Sequence, residues 1–100
     1  MKVAFFDLET SDLKADIGRI LIGSVYSYPE GTMKTFRLDE VNGGERMWDD
    51  RKIARLIRDE LNKHQLVVGW YSKGFDLPFL STRLANYNMD RIKRHFHLDL

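Results

Sequence analysis

Lys2-Val3-Ala4-Phe5-Phe6-Asp7-Leu8-Glu9-Thr10, at the head of a chain of 100 residues, reads as a strand with an acidic end. Residues 2–8 are apolar and rich in β-formers. Side chains alternate along a strand, so Asp7 and Glu9 share one face while Phe6 and Leu8 point the other way. Two like charges this close repel unless a cation or solvent offsets them. Hard divalent cations such as Mg²⁺ favour oxygen ligands of this kind. Two surface acids at a strand end have the same spacing, so spacing alone leaves both uses open.

Outward from that strand, residues 11–17 are polar and read as a loop. Residues 19–28 form a second strand, and Pro29-Glu30-Gly31-Thr32 is a turn signal. Residues 33–38 return as a third strand, which makes a hairpin. Residues 39–47 contain Gly43-Gly44 and read as a loop. From about Asp49 the period becomes helical, with Ile53, Leu56, Ile57 and Leu61 on one face, and Asp49 or Asp50 is placed to cap the helix. Residues 66–70 are a short apolar strand. Residues 76–87 form a second helix with Pro78 in its first turn and Leu80, Leu84 and Tyr87 on its buried stripe. A fifth strand is expected over 96–100. The order β-β-β-α-β-α-β predicts a single α/β unit over 1–100, with helices packed on a mixed five-stranded sheet.

Composition agrees with a globular chain: 43% hydrophobic residues, twelve aromatics and only two prolines. No apolar run approaches the roughly 20 residues that cross a bilayer, and the start is too soon acidic for a secretory signal. The absence of cysteine excludes disulfides and thiolate metal sites, and the expected location is cytoplasmic. The net charge of +1 hides a basic last third, with Arg83, Arg91, Lys93, Arg94 and two histidines. Such a cluster can attract phosphates or be a solvated surface. His95 and His97 could bind a metal, but packed or exposed histidine is the commoner use. His64, at a helix end, suits a favourable charge there.

Asp76 follows Phe75 and opens the second helix, where an Asp is commonly a cap. If the fourth strand lies beside the first, this helix start approaches Asp7. Here the residues carry a resemblance. Phe6-Asp7-Leu8-Glu9-Thr10 is similar to the first exonuclease motif of the DEDD (DnaQ-like) 3′→5′ exonuclease superfamily. Gly69-Trp70-Tyr71-Ser72-Lys73-Gly74-Phe75-Asp76-Leu77-Pro78-Phe79-Leu80 is similar to its second, in the version found in the exonuclease domains of B-family DNA polymerases. The match runs over nearly the whole chain.

The resemblance implies a ribonuclease H-like fold and hydrolysis of phosphodiester bonds at single-stranded DNA or RNA 3′ ends, using two Mg²⁺ or Mn²⁺ ions. Asp7 would bridge the two ions, Glu9 would bind one and hold the attacking water, and Asp76 would bind the other. Thr10 would sit near the terminal nucleotide and Phe75 would shape its pocket. Tyr71 stands where many relatives have Asn; it could stack on a base or sugar, or be a plain strand-end aromatic.

The family's third motif, an acid with a preceding His or Tyr on a later helix, is not matched. The expectation is therefore the N-terminal portion of an exonuclease domain, lacking the final helix and weak or inactive alone. Asp99 falls in the expected fifth strand, where a supporting place suits it better than metal ligation. A homodimer or a complementing C-terminal polypeptide would supply the missing helix. The alternative is a catalytically impaired module that binds nucleic acid or a partner.

Overall fold

A computed structural model describes residues 1–69 and 72–100, with the side chains of 72 and 73 left aside. The leading segment is β1, Val3–Thr10, and its burial alternates as the period-two pattern demands: Ala4, Phe6 and Leu8 are buried while Phe5, Asp7 and Glu9 are exposed. β2, Ile20–Tyr28, and β3, Thr32–Arg37, form the expected hairpin. Its turn uses Gly31 at a positive φ of 74°, a conformation glycine adopts without strain. The segment expected as a loop over 39–47 contains a short helix, α1, Leu38–Val41, anchored by the buried Leu38. The helical stretches fold as α2, Arg51–Leu61, and α3, Leu77–Asn86. Between them lies β4, Leu66–Gly69; β5, Phe96–Asp99, ends the sheet.

The strands lie in the order β3-β2-β1-β4-β5. β1 is antiparallel to β2 and parallel to β4, and β4 is parallel to β5. The core sits on one face only, where Phe6, Leu8, Val25 and Val67 meet Ile53, Ile57 and Leu61 of α2 and Phe79, Leu80 and Leu84 of α3. Gly23 of β2 makes room for that contact. A Cβ there would stand 2.3 Å from Ile57 Cδ1.

The opposite face is largely apolar and, among the described residues, has no helix packed on it. Met33, Tyr26, Phe5, Val68 and Leu98 are successive cross-strand partners over all five strands, so they form one row. Tyr28, Val3, Leu66 and Phe96 form the next.

Polar groups tie the helices to the sheet. Asp50 precedes α2 but does not cap it. Its carboxylate turns inward to accept from the Ile20 amide at 3.0 Å, from Arg83 Nε and Nη2 at 2.9 Å, and from the Tyr87 hydroxyl. The capping bond is made instead by Asp49, which accepts the Arg51 amide at 3.1 Å. Arg83 is therefore 3% exposed and leaves the basic surface it was expected to join. His64 is also fully buried. Its Nδ1–H donates to the Glu60 carbonyl at 2.9 Å and its Nε2 shares a hydrogen bond with the Ser27 hydroxyl at 2.7 Å. This ring links the last turn of α2 to β2. No described helix is long and apolar enough to cross a membrane.

Candidate active site

Three adjacent parallel strands end on the same side of the sheet, and each brings a carboxylate there. β4 stops at Gly69, paired with Phe6, while β1 runs on for Asp7, Leu8, Glu9 and Thr10. The ladder register slips between Glu9 and Thr10, and pairing with β2 resumes at Thr10 and Ile20. Beyond β4, a π-helical turn over Ser72–Asp76 leads into α3 and lies against the ends of β1, β4 and β5. Asp99 ends β5, in register with Gly69. In open α/β sheets, ligands bind in the crevice outside such carboxyl ends.

Asp76 is the electrostatic centre of the group. It is 5% exposed and already in helical conformation, and its side chain makes no capping bond, so the cap suggested by its position is not its use. Its pKa is pushed up to about 6, first by burial, then by the negative charge of Asp7, and further by that of Asp99. The Leu8 amide works in the opposite sense by hydrogen-bonding the carboxylate. Among the described residues, Asp76 Oδ2 is the buried side-chain polar atom that has no hydrogen-bond partner. A buried carboxylate oxygen without a donor is costly, and a cation at that oxygen would remove the cost. The donor set, hard oxygens facing like charge, suits a divalent ion of the Mg²⁺ type.

The remaining expected residues are placed as follows. Glu9 is exposed on the Asp7 face of β1. Thr10 donates its hydroxyl to the Asp12 carbonyl at 2.9 Å, within the loop that leaves β1. Phe75 is half-buried, with its ring 5.4 Å from that of Phe79. It lines a hollow of about 190 Å³ with Leu13, Gly74 and Pro78. Tyr71 lies outside the described residues. Among the described residues, no three Asp, Glu or His side chains gather closely enough to hold a metal ion. The charge of Asp99 at Asp76 is an addition that β5 pairing makes and that local sequence does not reveal. His95 Nε2–H donates to the Leu61 carbonyl at 2.9 Å, and burial lowers its pKa.

A mixed sheet covered by helices on one face, with acids at the ends of its parallel strands, defines a nuclease-type α/β fold. The family model for the RNase_H superfamily matches residues 4–100, and the chain belongs to that superfamily. Among solved structures it is similar to the family B DNA polymerase from the hyperthermophilic archaeon Pyrobaculum calidifontis, with a TM-score of 0.76 and 24% identity. That likeness covers 98% of this chain and 13% of the polymerase chain, and it concerns the fold. No curated protein matches the sequence.

Proposed function

We propose that the chain carries the acidic half of a DEDD-type 3′→5′ exonuclease site acting on single-stranded nucleic acid ends. The observation that supports it most is the buried, partnerless oxygen of Asp76, a carboxyl whose pKa is raised by burial and then by the charge of Asp7. The Leu8 amide serves one part of this carboxylate, and the unpartnered Oδ2 is left for a cation. Membership of the RNase_H superfamily points the same way.

In this reading Asp7, Glu9 and Asp76 would hold the divalent cations, and Glu9, on the Asp7 face, would also orient the attacking water. Bound Mg²⁺ or Mn²⁺ supplies the charge that stabilises entering and leaving oxygens and eases ionisation of the water. The Leu8 amide keeps Asp76 aimed at the strand end. Thr10 meets the terminal nucleotide through the loop after β1, Phe75 shapes one wall of its pocket, and Tyr71 offers a ring for stacking.

A second reading is favoured by one observation: no three ligating side chains gather among the described residues. A chain of that kind binds single strands without cleaving them. A Mn²⁺-supplemented assay with a 3′-labelled single-stranded oligonucleotide separates the two. The expected outcome is slow release of 3′ mononucleotides, lost in Asp7→Ala. Strong digestion that survives this substitution would reject the site, and complete inactivity with intact binding would favour the second reading.

The bare apolar face calls for a cover, and a second copy of the chain fits it in area. Phe5, Tyr26, Tyr28, Met33, Phe96, Leu98 and Leu100 are 37% to 73% exposed. Together they offer on the order of 700–800 Å² of apolar surface, close to the roughly 800 Å² per partner of a stable complex. Aligned face-to-face sheet packing is the geometry such a surface supports.

A further inference from the structure

A cleft of about 620 Å³ lies apart from the acidic crevice. It lies between the loop after α1 and the first turns of α2, and Asn42, Arg46, Asp49, Arg51, Lys52 and Arg55 are among its walls. Four of those six side chains are cations. Among the described residues, Arg46, Lys52 and Arg55 have no acidic partner within ion-pair distance. Arg51 lies over the Tyr87 ring, 5.1 Å from its centroid. Two carboxylates, Glu45 and Asp49, line the same cleft, so its four cations outnumber its acids two to one, while Asp50 is turned away to Arg83. The positive end of the α2 dipole adds to the same field.

An independent feature sits in the same loop. Trp48, between Arg46 and Asp49, is 66% exposed. Its position is fixed through its backbone, since Arg19 Nε donates to the Trp48 carbonyl at 2.7 Å. An exposed aromatic ring in the same loop as an excess of cations is a combination that binds single strands, with phosphates on the charges and a base on the ring.

The cleft opens at the same end of the sheet as the acids. Glu9 pairs with Ile22, and Ile22 pairs with Arg37 at the end of β3, directly before α1 and the loop. Strands stand about 4.8 Å apart, so Arg37 is roughly 10 Å from Glu9, and the cleft begins about one helical turn beyond it. A strand of a few nucleotides spans that distance.

We propose that this cleft, with Trp48, is a second binding subsite that takes the phosphate backbone and one base of single-stranded nucleic acid. It would hold the strand upstream of the end presented to Asp7 and Asp76. The subsite deepens the nuclease reading and rests on it for that orientation, but its binding can be measured without hydrolysis.

The test is anisotropy of a fluorescent oligothymidylate titrated with the 100-residue chain in EDTA, at salt from 50 to 200 mM. Lys52→Glu/Arg55→Glu should weaken binding at least tenfold. The neutral pair Lys52→Ala/Arg55→Ala should flatten the slope of log K against log salt by about 1.4, at about 0.7 per lost phosphate contact. It also carries the test if charge reversal unfolds the chain. Trp48→Ala should weaken binding roughly five- to a hundredfold with the slope unchanged. Lys93→Glu/Arg94→Glu, in the other basic cluster, should change affinity less than twofold.

Unchanged binding in the cleft variants, or a loss confined to the Lys93 and Arg94 pair, overturns the subsite. So does full displacement of the oligonucleotide by millimolar inorganic phosphate with no dependence on strand length. Binding that depends on the cleft in a chain that never hydrolyses supports the subsite and removes only the nuclease reading. Hydrolysis with binding indifferent to the cleft does the reverse.

Discussion

At Asp76 the cost of burying an acid has a direction that can be measured. Its folded pKa, about 6, stands above the value near 3.9 of an unfolded aspartate. The folded chain therefore binds more protons between those two values, and its stability falls as pH rises through that window and levels off above it. The effect is on the order of 2–3 kcal/mol. Denaturant melts of the metal-free chain between pH 4 and 7 should show this decline, and Asp76→Asn should flatten it and melt higher at pH 7. A variant that declines as steeply as the parent would contradict the account. Mn²⁺ should raise the parent's midpoint at pH 7 and leave that of Asp76→Asn nearly unchanged.

Asp50 works in the opposite sense. Burial alone would raise its pKa, but hydrogen bonds from Arg83, Tyr87 and the Ile20 amide outweigh burial and hold it below the usual range. Its contribution is present at neutral pH and is lost as pH falls through the folded value. Removing one partner leaves the other charge buried. Arg83→Met should therefore cost about 3–5 kcal/mol by equilibrium unfolding, and a loss below 1 kcal/mol would show that the pair is not the tie described.

Among the elements, α2 decides how closely the helices can press on the sheet. Ile57 enters the space that Gly23 leaves in β2, opposite Leu8. Gly23→Ala places a methyl where Ile57 stands, and overpacking of this kind costs about 1–3 kcal/mol. Thermal melts should register the loss, and Gly23→Ala/Ile57→Val should recover part of it, because the shorter side chain removes the Cδ1 clash. At this scale the sequence was legible where periodicity is strong: β1, the hairpin, α2 and α3 lie within a few residues of their expected bounds. α1 was not, because four residues give no period to read and its anchor, Leu38, looks like the end of a strand. The roles of Asp50 and Arg83 were also hidden. They sit 33 residues apart, and only helix packing makes them partners.

For the whole molecule, one sheet face is covered and the other bare. Sedimentation equilibrium at micromolar concentration should show reversible self-association. Phe5→Lys/Leu98→Lys, on the central apolar row, should give a monomer with an unchanged circular dichroism spectrum. A parent that sediments as a monomer at every concentration would remove the second copy as the cover, and a larger polypeptide that seats on the face would replace it.

Local chemistry by itself determined which stretches become strands and helices, and that Asp7 and Glu9 share a face, because alternation and helical period are properties of neighbouring residues. The approach of Asp76 to Asp7 was expected from strand order, but tertiary structure alone decided that Asp76 is buried with an unpartnered oxygen, that Asp99 adds its charge, and that Arg83 leaves the surface. The physical reason is distance along the chain. Burial and charge depend on groups that β1, β4 and β5 bring together from opposite ends of the sequence, and no local pattern records that meeting.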